Sequence, residues 1–187
     1  FFPASNMILS RKDGTLRMLT ENGNEVLGRI YEDAITIDGK AAFLIKSQWG
    51  LYGVIDRNDG SELIPCKCTE YKKLNGHLIA LKQNSKWAIV DLDNIKSQIS
   101  FLYDDVMEFT GDLIPVKMGD WGYIDRTSRR IIIPCSYKNV LPFNGEQAAV
   151  EQRKKWGVIN TKNEKIIKSV YDFIQPIPGG LYITWKD

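Results

Sequence analysis

Apolar residues alternate with polar ones along this chain in short runs, and the runs stop at clusters of Gly, Asn or Asp. A period of two predicts half-buried β-strands, and the clusters predict tight turns. Met7-Ile8-Leu9 is the first apolar strand, Arg11-Lys12-Asp13-Gly14 turns it, and Leu16 to Thr20 returns. Glu21-Asn22-Gly23-Asn24 then turns into Glu25 to Tyr31. In such turns Gly supplies a positive φ, while Asn and Asp bond nearby backbone. No stretch keeps apolar residues at i, i+3, i+4 and i+7, and turn signals recur about every 8 to 12 residues, the spacing of all-β chains. The expected unit is strand, tight turn, strand, tight turn, strand, then an extended connector. Tyr103 to Phe109 is expected to be extended, with Tyr103, Val106 and Phe109 facing inward.

The unit recurs. Trp121-Gly122-Tyr123-Ile124-Asp125 leads into Ile132-Ile133-Pro134, Tyr137, Val140, Phe143, Gly145 and Ala149-Val150. Trp156-Gly157-Val158-Ile159-Asn160 leads in the same way into Ile166-Ile167, Tyr171, Ile174, Gly179-Gly180 and Tyr182-Ile183. The aromatic-small pair appears at Tyr52-Gly53, Trp87-Ala88, Trp121-Gly122 and Trp156-Gly157, after a degenerate Leu16-Arg17, in steps of 36, 35, 34 and 35 residues. Tyr31, Tyr71, Tyr103, Tyr137 and Tyr171 form a second series of anchors, in steps of 40, 32, 34 and 34. The long step is read as an insertion at Cys66-Lys67-Cys68-Thr69-Glu70. Counting from Ile55-Asp56 leaves Trp49-Gly50 out of register, in the preceding turn. A fixed period of this size means a repeat array, here five units over 7-41, 42-77, 78-111, 112-146 and 147-187 within one repeat domain, 1-187.

Each repeated residue type has a physical role. A unit this short cannot bury both faces of a small sheet, so it must stack on its neighbours. The Trp offers the largest apolar surface for that contact, and the Gly beside it permits close backbone approach or a bulge. Asp56, Asp91, Asp125 and Asn160 stand where strand passes into turn and are expected to bond turn amides. Pro65 and Pro134 are expected to end strands, since Pro cannot donate to a ladder.

These motifs resemble the WG-repeat family, also called KWG repeats, seen here as Lys155-Trp156-Gly157. The resemblance covers roughly residues 7 to 185 and is best from Trp121 to Glu151. Trp87-Ala88 lacks the Gly, and Leu16-Arg17 lacks both signature residues. It implies a scaffold or binding module of mostly bacterial proteins, with no catalytic residues to carry over. The expected fold is all-β: an open, twisted β-solenoid of antiparallel three-stranded units, with a five-bladed β-propeller as the alternative.

Composition narrows the function classes. The 187 residues are 43% hydrophobic and 26% charged, as in ordinary globular chains. The net charge of +2 comes from 25 basic and 23 acidic residues spread along the chain. That argues against nucleic acid, which calls for a concentrated basic face. The apolar runs are strand-sized, so no membrane insertion is expected. The absence of an initial Met suggests processing or excision from a longer protein. Cys66 and Cys135 share one repeat position, too far apart in a stacked array for a disulfide. Three unpaired cysteines favour the cytoplasm, and a removed leader would allow a secreted or surface location.

Chemical constellations are sparse. Asp56 to Gly60 and Asp91 to Asn94 fall short of a calcium loop, which needs more oxygens at fixed positions. His77 is the lone histidine, lies in the turn Asn75-Gly76-His77 and has no nucleophile nearby in sequence. Phosphate-cradling Gly patterns are absent. The expectation is therefore no catalytic residue, no cofactor and no metal. It is a non-catalytic scaffold for protein-protein interaction, with carbohydrate or cell-surface binding as the alternative. Trp49 and Trp185, the tryptophans outside the repeat anchors, are the candidate ligand contacts for that alternative.

Overall fold

The computed structural model describes residues 8–20, 22–25, 30–36, 42–95, 100–177 and 181–186. Met7, Glu21 and Gly179-Gly180, which the sequence pattern assigns to a strand and to turns, lie outside the described residues. The chain divides into two compact units, Phe1–Phe101 and Leu102–Asp187. Among the described residues every named element is a β-strand and all pairing is antiparallel.

Unit 1 carries β1 (Ile8–Lys12), β2 (Thr15–Leu19), β3 (Tyr31–Thr36), β4 (Ala42–Ser47), β5 (Tyr52–Asp56) and β6 (Glu62–Cys68), joined in chain order as one six-stranded sheet. A second sheet follows, of β7 (Glu70–Lys73), β8 (Leu78–Gln83) and β9 (Lys86–Asp91). Unit 2 has two four-stranded sheets. The first is β10 (Asp105–Val106), β11 (Leu113–Met118), β12 (Asp120–Asp125) and β13 (Ile131–Tyr137). The second is β14 (Asn139–Val140), β15 (Gln147–Gln152), β16 (Lys155–Asn160) and β17 (Lys165–Tyr171), and the hairpin β18 (Phe173–Ile177) with β19 (Leu181–Trp185) completes the unit. The full repeat therefore has four strands rather than three. The connector expected after each Tyr anchor is itself a strand: β14 pairs Asn139 with Glu151 and Val140 with Val150.

Register explains the aromatic anchors. Trp121 lies opposite Tyr137, Trp156 opposite Tyr171, and Leu16 opposite Tyr31. In the second unit the residue opposite Tyr52 is Cys68, not Tyr71. The insertion read there does not exist, because β6 passes through Cys66-Lys67-Cys68 directly into β7. Tyr71 faces Leu81, as Val106 faces Val116 and Val140 faces Val150. It belongs to that aliphatic position, and its ring packs on Tyr52 at 4.9 Å between centroids. Counting tyrosines missed this because a buried thiol fills the anchor slot. Desolvation, aided by Cys66, raises the Cys68 pKa to about 11.

Pro65 and Pro134 lie inside β6 and β13 instead of ending them. Each register slips beside the Gly: Tyr123 faces Ile133, yet Trp121 faces Tyr137. The extra residues form a bulge, one of the few places in a sheet where a missing N–H is tolerated. The bulged backbone presses on the glycine. A Cβ at Gly122 would stand 2.5 Å from the Ile133 carbonyl oxygen and 2.7 Å from the Cys135 nitrogen. At Gly53 the Ile64 oxygen would be 2.7 Å away, and at Gly157 the Ile167 oxygen 2.6 Å.

The carboxylate and amide caps act within their own turns. Asp56 accepts from the Asn58 amide at 2.6 Å, Asp91 from Asp93 at 3.0 Å, Asp125 from Ser128 at 2.6 Å, and Asn160 from Glu164 at 2.8 Å. The Ser128 backbone bond, helped by its hydroxyl, holds the Asp125 carboxyl below its usual range.

The core of unit 2 gathers Trp121, Tyr123, Ile133, Tyr137, Val140, Phe143 and Ile159. Tyr103, Val106 and Phe109 are buried, but of the stretch expected to be an extended strand only Asp105–Val106 is one. Tyr123 is fully buried, sits edge-on to Phe143 and donates its hydroxyl to the Leu141 carbonyl at 2.7 Å. Burial pushes its phenol pKa well up, so it remains a donor across the accessible pH range. Tyr123→Phe strands that carbonyl and is expected to cost about 1–2 kcal/mol, read by urea unfolding. A neutral result would mean water takes over the bond.

Candidate functional site

Trp87 and Trp121 are 3% and 5% exposed. Lysines cover their rings, Lys72 lying 4.4 Å and Lys82 5.4 Å from the Trp87 centroid, and Lys117 5.9 Å from that of Trp121. Cations over an indole face add to the packing and leave no open platform. Trp156 and Tyr52 are half-buried and pack on neighbouring clusters. The two tryptophans outside the anchors behave differently: Trp49 is 85% and Trp185 66% exposed.

Trp49 occupies the turn from β4 to β5. The Ser47 amide donates to the Leu51 carbonyl at 2.8 Å, Gly50 donates to the Ser47 carbonyl at 2.9 Å, and Leu51 donates to the Ser47 hydroxyl at 3.2 Å. Gly50 has φ 76°, a conformation that suits a residue without Cβ. Beside the indole is a cavity of about 370 Å³ lined by Ile30, Tyr31, Gln48, Glu62 and Cys66. The sequence placed Trp49 in this turn. It gave no sign of Glu62 and Tyr31, which reach the cavity from other strands.

Trp185 belongs to a second place. Phe173 pairs with Trp185, Gln175 with Ile183 and Ile177 with Leu181, so these residues share one face of the β18–β19 hairpin. Phe173, Leu181, Ile183 and Trp185 are all exposed. Register makes Ile183 the counterpart of Leu44, Ala80 and Ala149, which face Val54, Ile89 and Val158. Those three residues are at most 1% exposed, whereas Ile183 is 50% exposed. β4, β8, β11 and β15 have strands on both sides, and β19 pairs with β18 alone among the described strands.

His77 meets two carboxylates across the open end of the β8–β9 hairpin. Its Nε2 is 3.6 Å from Asp91 Oδ2 and its Nδ1 is 3.5 Å from Asp93 Oδ2. The three donors fall within 4.8 Å of one another. Each ring nitrogen addresses a different carboxylate, so the three groups do not share one side of the ring. The sequence reading treated His77 and Asp91 to Asn94 separately. Only the hairpin closure, with the Leu92 amide donating to the His77 carbonyl at 3.0 Å, unites them.

Antiparallel meanders built on one recurring aromatic-glycine strand define an all-β tandem-repeat module. The chain belongs to the WG containing repeat family, whose model matches residues 52–87, 99–120, 121–156 and 156–184. No curated protein matches the chain in sequence. Among solved structures it is similar to a eukaryotic initiation factor, with a TM-score of 0.51 and 10% identity over 97% of this chain and 58% of that one. It thus spans little more than half the length of that protein. BamB from Moraxella catarrhalis gives a TM-score of 0.42 at 13% identity, covering 98% of this chain and 70% of BamB. Kluyveromyces lactis Hsv2p gives 0.46 at 12%, covering 96% of this chain and 68% of its own. At such identities the likeness to the initiation factor concerns the fold alone.

Proposed function

We propose that the chain is a non-catalytic protein-interaction module of a larger bacterial protein, and that its exposed β19 accepts one further antiparallel strand. The observation that carries this reading is Ile183, half exposed at a position sealed in the equivalent strands β4, β8 and β15. The occupant is an extended segment with the pattern of Trp156-Gly157-Val158-Ile159, because that strand covers β15 at the matching register. Its glycine would lie over Thr184 and its aliphatics over Ile183 and Tyr182. Leu181 to Trp185 contains no charged residue, whereas open edges are usually guarded by charge. Strand addition supplies main-chain bonds for affinity and side-chain alternation for selectivity.

A synthetic peptide spanning Lys155 to Tyr171, added to the intact chain and followed by fluorescence anisotropy, tests this. Binding should weaken at least about tenfold in Ile183→Lys, equivalent to about 1.4 kcal/mol. Equal binding by that variant overturns the site. A concentration-dependent dimer in sedimentation, lost in the same variant, would make a second copy the source of that strand. Carbohydrate binding is a second reading, favoured by a separate observation in unit 1, the cavity beside Trp49.

A further inference from the structure

Among the described residues, three rows of side chains cross the sheets in one order: acid, lysine, aromatic anchor. Asp33 pairs with Lys46 and Lys46 with Tyr52. Glu70 pairs with Lys82 and Lys82 with Trp87. Asp105 pairs with Lys117 and Lys117 with Trp121. Lys82 meets the Glu70 carboxylate at 2.6 Å while lying 5.4 Å from the Trp87 centroid, and Lys117 lies 5.9 Å from that of Trp121. Both indoles are buried. In a fourth row Glu151 stands in the lysine's place opposite Trp156, and that indole is half-buried. Deep burial of an anchor tryptophan goes with a cation across from it.

The last row changes the order. Phe173 pairs with Trp185, so an indole occupies the lysine's place and a benzene ring the acid's. Phe173 is 49% and Trp185 66% exposed. The residue that an added strand sets opposite Trp185 takes the place held in the inner rows by Tyr52, Trp87 and Trp121. Side chains directly opposed on paired strands touch. An aromatic there would make a third ring in the row, without the cation that accompanies the inner anchors. A basic side chain lays its methylenes along the rings and keeps its charged end hydrated. It restores the cation–indole pair of the inner rows with the two partners exchanged. Indole is the strongest side-chain ring for a cation, and a guanidinium also stacks flat upon it.

Resting on the reading of β19 as an edge that accepts a strand, we propose that this strand carries arginine or lysine opposite Trp185, in the order base, glycine, aliphatic, aliphatic. In this chain the corresponding place is filled by Leu16, Tyr52, Trp87, Trp121 and Trp156, none of them basic. The occupant is therefore a segment of a different polypeptide and not a second copy of this chain.

The test uses three labelled peptides with the sequence Lys155 to Tyr171, alike except at the position of Trp156, which holds tryptophan, arginine or glutamate. Fluorescence anisotropy with the intact chain should favour arginine over tryptophan by about threefold or more, and over glutamate by about tenfold or more. Trp185→Lys should reverse the order of arginine and glutamate, and Trp185→Phe should keep part of the arginine preference. Trp185 is exposed, so these replacements spare the core, as circular dichroism would verify. Ile183→Lys should weaken the binding of every peptide. Ile183-dependent binding in which arginine is no better than tryptophan, or a ranking that Trp185→Lys leaves unchanged, overturns the proposed base and leaves the edge standing. Failure of all three peptides to bind, or binding indifferent to Ile183→Lys, overturns the edge reading and this proposal with it. A dimer in sedimentation that Ile183→Lys abolishes overturns the assignment to a different polypeptide.

Discussion

Trp121→Ala is expected to lower the stability of the protein by about 3–5 kcal/mol, the range for truncating a large buried aromatic. The indole is 5% exposed, lies opposite Tyr137 and shares its cluster with Tyr123, Ile133 and Phe143. Its loss leaves a void that those rings cannot refill without leaving their own contacts, because Tyr123 is tied to Leu141 through its hydroxyl. Equilibrium unfolding in urea measures the effect. A loss below about 1 kcal/mol would return the residue to the surface and reopen the reading of the anchors as ligand platforms. Trp49→Ala provides the contrast, since an exposed side chain of the same type should change stability by no more than about 0.5 kcal/mol.

The neighbouring position should be almost as sensitive for the opposite reason. Gly122→Ala introduces a methyl 2.5 Å from the Ile133 oxygen, 2.7 Å from the Cys135 nitrogen and 2.8 Å from the Pro134 carbonyl carbon. All three obstacles are backbone, so no rotamer change relieves them, and the bulge or the β12–β13 pairing has to move. Overpacking of this kind costs about 1–3 kcal/mol, and more where nothing yields. A loss of about 3 kcal/mol in urea unfolding is the expected result. A change within about 0.5 kcal/mol would show that the bulge is compliant. At the corresponding place in the third unit stands Ala88, with the same pairing to its hairpin partner Leu81 that Gly122 has to Val116. The stretch that would press on Ala88 lies outside the described residues. At Gly122 the requirement comes from the bulge opposite, whose backbone atoms supply all three obstacles.

That dependence on the strand opposite also marks how far the sequence could be read. The turn residues Asp56, Asp91, Asp125 and Asn160 were legible because each side chain meets amides a few residues away. Trp87 and Trp121 were legible as core because their spacing repeats. Cys68 was not, since its role comes from lying opposite Tyr52 and a thiol carries no visible aromatic signature. Pro134 was misread as a terminator for a related reason: the same missing N–H serves a strand end or a bulge, and only register separates the two. Trp49 and Trp185 stood out as tryptophans off the repeat. The residues gathered around them, Glu62 and Tyr31 in one place and Phe173 and Leu181 in the other, come together through strand pairing. The His77 bridges to Asp91 and Asp93 likewise depend on the two arms of a hairpin meeting at its open end.

Every strand pairing described here joins neighbours along the chain, from β1 with β2 through β18 with β19. No strand waits for a distant segment before it can be matched. Duplicating or deleting one whole period would leave the hydrogen-bond partners of the remaining strands as they were, so gene-level lengthening of the array needs no rethreading. For the same reason each hairpin can zip as it is synthesised, and short loop closures favour rapid assembly. Copy number can thus drift in evolution while individual turns, freed from any part in holding the sheets together, acquire features such as the indole between β4 and β5.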